Sequence, residues 1–353
     1  MAGLTAGLKI EVLSKSWECN TKLNTLTDAR AWSEEHRYVQ LSEYDDDELI
    51  RDQFCVKKKG RYSYVVWKKE AGQPEVVLNI SGFVVSSFFG PINRHVNLRI
   101  TRQNITIVGL GNPAFNSALS VLRRIYRLLD QSHPIGAMQP FRSTKVLDTP
   151  AFTAEARFLT SIEDVEAFAT DGYSLRHSQD PQHILQSCVG SGKFAYTEDN
   201  HVELSELGDA DPDTGIQFPN NIDNPCYIRP GDLVELSFTL RSITLGKVQT
   251  KEAFVTKLDA VVIIDKFGAK LLYDRDCQDD EARRAEAARL EKSKDVSAPK
   301  KLRVGSSVKL SDYVDQFLEV GRGKDLDEVW DKESDEVGQK EQGDVGENSA
   351  MLT

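Results

Sequence analysis

The feature that most constrains the fold is a long alternation of apolar and polar residues that begins just after Pro230-Gly231. Its apolar members are Val234, Leu236, Phe238 and Leu240, and a polar residue follows each of them. Because successive side chains of a strand point to opposite faces, the pattern predicts a strand with one buried face. Gly246-Lys247 offers a tight turn into a second strand, Ala253 to Ile264, so the segment should form a β-hairpin.

A second group of strands is predicted nearer the N-terminus, where short runs are rich in β-branched and aromatic residues. They are Tyr62 to Trp67, Glu75 to Ile80, Phe83 to Phe89, Val96 to Ile100 and Ile105 to Val108, separated by turns that include Gly72 and Gly82. A helix from Ala114 to Asp130 follows, with Asn112 as its cap and Pro113 in its first turn. We expect an antiparallel sheet covered by this helix.

A chain of 353 residues is too long for one ordinary core and suggests about two domains. Pro134, Gly136 and Pro140 make residues 131–150 the natural boundary. The predicted fold class is α+β: an antiparallel sheet covered by a helix, a second β-rich unit with an OB-like strand pattern, and a disordered acidic tail. The predicted segments are an N-terminal arm (1–56), a basic α+β unit (57–135), a β-rich unit (150–275), a helical extension (276–320) and the tail (321–353).

Three further local predictions follow from the same patterns. A helix is expected at Thr27 to Tyr38, a strand around His183 to Cys188, and an exposed acidic loop from Glu203 to Pro225.

The five cysteines are scattered and form no CxxC pair, which argues against a disulfide framework and against a zinc knuckle. The N-terminus shows no secretion signal, and no apolar run is long enough for a membrane span. We therefore expect a nuclear or cytoplasmic protein that does not associate with membranes.

The net charge of -11 would ordinarily count against a polyanionic partner. The charge is unevenly distributed, however, because residues 57–127 hold twelve Lys and Arg residues against Glu70 and Glu75. Such asymmetry is typical of proteins that contact nucleic acid, although it also occurs on faces that are merely solvated. We predict a nucleic-acid-binding surface formed by Lys57, Lys58, Lys59, Arg61, Arg94, Arg99, Arg102, Arg123, Arg124 and Arg127.

Within that set we expect five arginines to form part of one phosphate-contacting surface. Arg99 and Arg102 belong to the predicted strand region, and Arg123, Arg124 and Arg127 lie off the apolar stripe of the helix. If the helix packs across the apolar face of the sheet, however, its arginines could lie apart from Arg99.

Two glycine-rich motifs resemble phosphate-binding sequences, but each lacks a feature that phosphate binding requires. Residues 109–114 match the GxGxxA dinucleotide fingerprint, but they lack a predicted parallel βαβ unit. Residues 190–193 (Gly-Ser-Gly-Lys) resemble part of a phosphate-binding loop, yet Ser187 and Phe194 occupy two of its required positions. Both motifs are better explained as turns.

No residues carry a positive signal for metal binding or catalysis. His177, His183 and Cys188 are close in sequence but lack a fourth ligand at a familiar zinc spacing. A dispersed Ser, His and Asp triad is neither supported nor excluded. We predict no cofactor, no metal and no enzymatic activity.

Two short segments resemble known families. Val96 to Asp130, with the strands Val96-Asn97-Leu98-Arg99-Ile100 and Ile105-Thr106-Ile107-Val108-Gly109 followed by a helix, resembles a half-repeat of the TATA-box-binding-protein fold. That resemblance implies a curved sheet that binds the DNA minor groove. The hairpin region 228–264, opening with Ile228-Arg229-Pro230-Gly231-Asp232, resembles the strand pattern of single-strand-binding OB barrels, which implies that a sheet face holds unpaired bases.

The sequence thus favours a non-enzymatic nucleic-acid-binding protein that uses residues 57–127, with DNA as the first candidate partner. One alternative is a structural or scaffolding protein that assembles through its β-sheets, as a homo-oligomer. A second alternative is a dinucleotide-dependent enzyme that uses the glycine turn at 109–114.

Overall fold

The computed structural model describes residues 4–32, 39–93, 97–98, 100–165, 173–210, 217–245 and 251–296. The helices are α1 (Ala6–Lys15), α2 (Trp17–Trp32), α3 (Asp47–Gln53), α4 (Pro113–Gln131), α5 (Ile184–Gly190) and α6 (Phe267–Val296). The strands are β1 (Phe54–Lys59), β2 (Tyr62–Trp67), β3 (Val77–Phe88), β4 (Arg102–Val108), β5 (Lys145–Val146), β6 (Thr149–Arg157), β7 (Thr160–Ser161), β8 (Phe194–Ala195), β9 (Glu203–Ala210), β10 (Gln217–Asn221), β11 (Leu233–Leu245) and β12 (Lys251–Asp265). The expected α+β class is confirmed.

Five strands close into a barrel. The strand β11 pairs with β3, β3 with β4, β4 with β6, β6 with β12, and β12 again with β11. In chain order, β3, β4, β6, β11 and β12 are the first to fifth barrel strands. Around the barrel they lie in the order first, second, third, fifth and fourth, and the fourth pairs again with the first. The contact between the third and fifth strands is parallel and consists of one pair, Lys257 with Glu155. The closed five-stranded barrel is OB-like.

The predicted hairpin is confirmed as β11 and β12, which pair antiparallel from Leu233 opposite Asp265 to Leu245 opposite Lys251. The register shifts between Ser237 and Phe238, where β12 carries one extra residue. Such bulges bend a strand, which lets the hairpin curve around a barrel. The predicted turn at Gly246-Lys247 lies outside the described residues.

One apolar core fills the barrel and extends beneath helix α4. The rings of Phe152 and Phe238, from strands that are not neighbours, lie 4.7 Å apart at their centroids. The core also includes Ile105 and Ile107 of β4 and the buried stripe of α4, namely Phe115, Ala118, Val121, Leu122, Ile125 and Leu129.

Helix α4 forms where the sequence predicted it, with one extra residue at each end. The side chain of Asn112 accepts a hydrogen bond of 2.8 Å from the Phe115 N–H, which caps the helix, and Pro113 occupies the first turn. The apolar stripe fixes which side of the helix is buried, so Arg123, Arg124 and Arg127 are directed away from the core.

The described part of the predicted N-terminal arm (1–56) is largely helical, with α1, α2 and α3 inside it. Helices α1 and α2 pack against the outside of β3 through a second apolar core that includes Leu13, Leu23 and Phe83. The predicted helix at Thr27 to Tyr38 overlaps the end of α2, and residues 33–38 lie outside the described part of the chain. Neither α1 nor α2 has a strongly amphipathic sequence, which explains why pattern reasoning missed them.

Several strand and turn predictions were wrong. Residues 184–188 belong to helix α5, and the predicted loop from Glu203 to Pro225 contains β9 and β10. Gly82 lies inside the single long strand β3 because the backbone of Val108 and the ring of Phe115 approach it closely, not because the chain turns there. In the predicted strand Val96 to Ile100, the described residues 97, 98 and 100 are not in a strand, and the others lie outside the described residues.

The two predicted units, 57–135 and 150–275, contribute strands to the same barrel. Strands β3 and β4 come from the first, and β6, β11 and β12 from the second. Both belong to one compact unit that extends from Met1 to Arg289. Of the predicted helical extension, residues 276–296 belong to α6, while 297–320 and the acidic tail at 321–353 lie outside the described residues.

Within the described ranges, no helix combines the length and the apolar character needed to cross a membrane.

Gly109 provides a direct test of the packing between β4 and α4. A Cβ atom at this position would lie 2.2 Å from Phe115 Cγ, so Gly109→Ala should lower the free energy of unfolding by about 1–3 kcal/mol, the usual cost of overpacking. The matched control is Gly190→Ala, whose Cβ would meet no atom within 4 Å. Urea unfolding of both variants checks this, and an equal effect of the two substitutions would contradict the packing.

Candidate nucleic-acid interface

The second and third barrel strands, β4 and β6, present a polar outer face. Inward residues of both strands, such as Ile105 and Phe152, are buried in the core. The alternate residues face outward and are only partly buried, and they pair across the two strands as Arg102 with Arg157, Asn104 with Glu155, and Thr106 with Thr153. We call these six residues the barrel face.

Three arginines at one end of the barrel face share two carboxylates. Asp164 lies 3.1 Å from Arg61 and 3.4 Å from Arg157, in each case between a guanidinium nitrogen and a carboxylate oxygen. Arg102 lies 3.8 Å from Glu155. Burial lowers the pKa of the Arg102 guanidinium, although Glu155 opposes that effect and an arginine remains charged at neutral pH. This end therefore concentrates positive charge that the carboxylates only partly offset.

An aromatic residue lies beside these arginines. Tyr62 of β2 is partly buried, and burial raises the pKa of its hydroxyl while the nearby Arg157 lowers it. Its ring centroid lies 5.9 Å from that of Tyr64. Tyr62 and Arg157 thus place an aromatic and a basic side chain close together, which is the combination used to hold a phosphate backbone and stack bases.

Arg241 anchors the centre of the same outer surface. Its guanidinium donates two hydrogen bonds to Glu75, of 2.6 and 2.7 Å, and a third to Asp199, of 2.9 Å, while stacking 4.8 Å from the centre of the Tyr64 ring. Burial opposes its charge, but the bonds to Glu75 raise the pKa of Arg241 overall. Burial likewise opposes ionisation of Asp199, yet Arg241 and Lys257 keep its pKa below the usual range. The charge of Arg241 is therefore already paired with Glu75 and Asp199, and the role of this residue is structural.

The predicted basic residues are divided between different sides of the sheet. Lys57, Lys58 and Lys59 lie on the edge strand β1 and are exposed, and Arg61 follows in the turn to β2. Arg94 and Arg99 lie outside the described residues, in the connection between β3 and β4.

The described arginines of the predicted five-arginine surface do not share one face. Gln103, Ile105 and Ile107 are buried on the inner side of β4, so Arg102 points to the outside of the barrel. On the helix, Arg124 lies 3.2 Å from Asp47, and Arg123 lies 5.8 Å from the centre of the Phe141 ring. The helix packs against β1, β3 and residues 41–43 rather than against the outer side of β4 and β6, which separates its arginines from the barrel face.

Sequence reasoning missed Arg157 and Tyr62. The signal for Arg157 was present, because residues 152–157 (Phe-Thr-Ala-Glu-Ala-Arg) alternate apolar and polar residues as a half-buried strand does. Tyr62 gave no such signal, since only the pairing of β2 with β11 brings it beside the arginines.

The glycine motifs lack the surroundings that nucleotide binding needs. Strand β4 is antiparallel to both of its neighbours, β3 and β6, so residues 109–114 do not join a parallel βαβ unit. Residues 190–193 end the short helix α5 and lead into a strand rather than into a helix. Within the described ranges, no three His, Cys, Asp or Glu side chains are grouped so that they could hold a metal ion.

A serine, a histidine and a glutamate meet near the end of the hairpin. His133 Nε2 lies 2.8 Å from Ser242 Oγ, and its Nδ1 lies 3.8 Å from Glu252 Oε1. Ser242 is fully buried, and Glu252 is 3% exposed, so a substrate would have no path to the hydroxyl. The trio links residue 133 to the hairpin and does not support hydrolytic chemistry.

Comparisons of the chain with protein-family models, with curated proteins and with solved structures found no match.

The Arg241 cluster makes a testable contribution to stability. Arg241→Gln leaves Glu75 without its cation and Asp199 with Lys257 alone, so the free energy of unfolding should fall by about 1.5–3 kcal/mol at neutral pH, the usual contribution of hydrogen bonds to charged groups. The lowered pKa of Asp199 contributes stability above its usual value of 3.8 and loses it as the pH falls through the lowered value. The difference between wild type and variant should therefore shrink in acid.

Urea titrations at neutral and acidic pH measure both effects, with the exposed Arg142→Gln as the charge-matched control. A loss at neutral pH no larger than that of the control would refute the anchoring role.

Proposed function

We propose that this protein is a non-enzymatic nucleic-acid-binding protein that holds single strands on the outside of its OB-like barrel. The observation that carries the proposal is the barrel face, where Arg102 and Arg157 stand directly opposite each other on the second and third barrel strands. OB barrels in general bind oligonucleotides on these two strands, aided by the loops after the first and fourth strands.

The connections next to the barrel face are basic in sequence. The connection after the first barrel strand contains Arg94 and Arg99, and the one after the fourth contains Lys247. These three residues lie outside the described part of the chain, so their contribution rests on their position in the sequence. With Arg61 at the near edge, they supply the charge expected of a phosphate-binding groove.

Single strands suit this surface better than a duplex. Tyr62 offers a ring for base stacking, and stacking requires bases that are not enclosed in a double helix. Asp164 and Glu155 already pair with the arginines, so phosphates must displace carboxylates as well as water. Because each phosphate contact releases counterions, we expect binding that weakens with salt, with DNA as the first candidate and RNA as the comparison.

The proposed interface therefore differs from the predicted surface at residues 57–127. Lys57, Lys58 and Lys59 lie on an edge strand, where lysines commonly prevent edge-to-edge aggregation. Arg123, Arg124 and Arg127 face away from the core on the helix side of the sheet. We propose these six as secondary contacts at most, and the barrel face as the primary one.

Assembly through sheet edges is the less favoured alternative. The strand order ends in β1 and β10, which therefore each have an edge without a partner in the described part of the chain. Three lysines disfavour edge-to-edge pairing of β1, and Pro219 removes one backbone hydrogen-bond donor from β10. Sedimentation at several protein concentrations without nucleic acid tests this alternative, which requires reversible self-association.

The proposal predicts different outcomes for two arginine sets. Arg102→Gln combined with Arg157→Gln should weaken binding of a short single-stranded oligonucleotide by about tenfold or more, since charge-assisted hydrogen bonds are lost. The slope of log affinity against log salt should fall by about 0.7 per lost contact. Fluorescence anisotropy at several salt concentrations measures both quantities.

The comparator is the triple variant Arg123→Gln, Arg124→Gln and Arg127→Gln, which removes more charge from the other side of the sheet. It should change affinity and slope less than the double variant does. If the triple variant abolished binding while the folded double variant bound normally, the interface would lie on the helix and the proposal would be wrong.

A further inference from the structure

A second group of cations surrounds a pocket at the end of the hairpin where Leu233 pairs with Asp265 and β12 leads into α6. The pocket has a volume of about 460 Å³ and is lined by Arg229, Lys266, Phe267, Ala269, Lys270 and Tyr273. Two separate parts of the chain supply its charges, the turn before β11 and the first residues around α6. The concentration of three cations is notable on a protein whose net charge is -11.

Two of these three cations form no salt bridge within the described part of the chain. Lys266 forms an ion pair with Glu206. Arg229 and Lys270 are exposed, and no carboxylate of the described residues lies within salt-bridge distance of either side chain. Both side chains are thus available to a ligand without first breaking an internal ion pair.

The backbone beneath the pocket is held rigidly. Gly231, at a φ of +93°, donates a hydrogen bond of 2.7 Å to the Val84 carbonyl, and the Arg229 N–H donates one of 2.7 Å to Asp232 Oδ2. Gly231 and Gly268 touch so closely that a Cβ on either would collide with the other's backbone. The turn and the start of α6 therefore hold Arg229 and Lys270 on one fixed frame.

We propose that this pocket binds a small, multiply phosphorylated ligand through Arg229, Lys266 and Lys270. A volume of about 460 Å³ is within the usual range for small-molecule sites, and a concave pocket of that size suits a compact ligand better than an extended strand. Arg and Lys are the usual side-chain donors to phosphate oxygens. The proposal is independent of nucleic-acid binding at the barrel face.

A buried carboxyl group next to the pocket adds a second signature. Asp232 is fully buried, its Oδ1 has no hydrogen-bond partner, and burial raises its pKa to about 6. The charged groups that act on it are Arg229 in the same turn, Lys266 before α6 and Glu206 on β9. Above that pKa, Asp232 adds a negative charge that offsets the three cations, and below it the charge is removed.

The first test is calorimetric titration with inorganic tripolyphosphate at low salt. Arg229→Gln combined with Lys270→Gln should weaken binding by about tenfold or more. The charge-matched control, Arg142→Gln with Lys193→Gln, replaces exposed residues outside the pocket and should leave affinity unchanged. No measurable binding to wild type, or an equal loss in both double variants, would overturn the proposal.

The second test uses sulfate, whose charge stays constant across the range in which Asp232 titrates. Wild type should bind sulfate more tightly below the pKa of Asp232 than above it, and Asp232→Asn should bind with the higher affinity at both pH values. A pH dependence that persists in a folded Asp232→Asn variant would show that the anion binds elsewhere. Since neither titration contains nucleic acid, failure here leaves the barrel-face proposal untouched, and the reverse also holds.

Discussion

The fold depends on the pairing of one hairpin with strands from both halves of the chain. Strand β11 pairs with β12 along its whole length, and on its other side it pairs with β3 over Leu233–Thr239 and with β2 over Arg241–Ile243. Strand β12 in turn contacts β6 and β9. Removing the hairpin would open the barrel on both sides and expose the core that Phe152 and Phe238 share. Everything proposed about the outer surface depends on this closure, because closure brings β2, β4 and β6 onto one side.

Electrostatics on that outer surface are nearly balanced, and this limits what the surface can bind. Arg241 and Lys257 are committed to Glu75, Asp199 and Asp259. Three other arginines, Arg61, Arg102 and Arg157, lie together at one end, around Asp164 and Glu155. In the proposed binding mode, a phosphate backbone approaches from that end, where the connection containing Arg94 and Arg99 leads into β4. The excess of basic residues at 57–127 therefore does not correspond to one basic surface, because the sheet divides these residues between two sides.

Elements with strong local patterns could be predicted from the sequence, and elements that depend on distant partners could not. The α4 stripe and the β11 alternation are local, and both were located correctly. Helices α1 and α2 have weak amphipathic patterns, and α5 was mistaken for a strand in a short apolar run. Of the candidate site, Arg61 and Arg102 were named in advance, whereas Tyr62 and Arg157 needed the strand order. Strand order is set by non-local pairing, and one sequence reports it poorly.

Hydrogen exchange followed by mass spectrometry, at increasing urea concentrations below the unfolding transition, tests the central claim most directly. If one closed barrel joins both halves of the chain, peptides from β3 and β4 should lose protection at the same free energy as peptides from β6, β11 and β12. Peptides from the exposed residues 281–291 of α6 should exchange earlier and serve as the internal reference. Independent opening of 77–108 and 233–265, at clearly different free energies, would mean that the halves fold as separate units and would contradict the barrel.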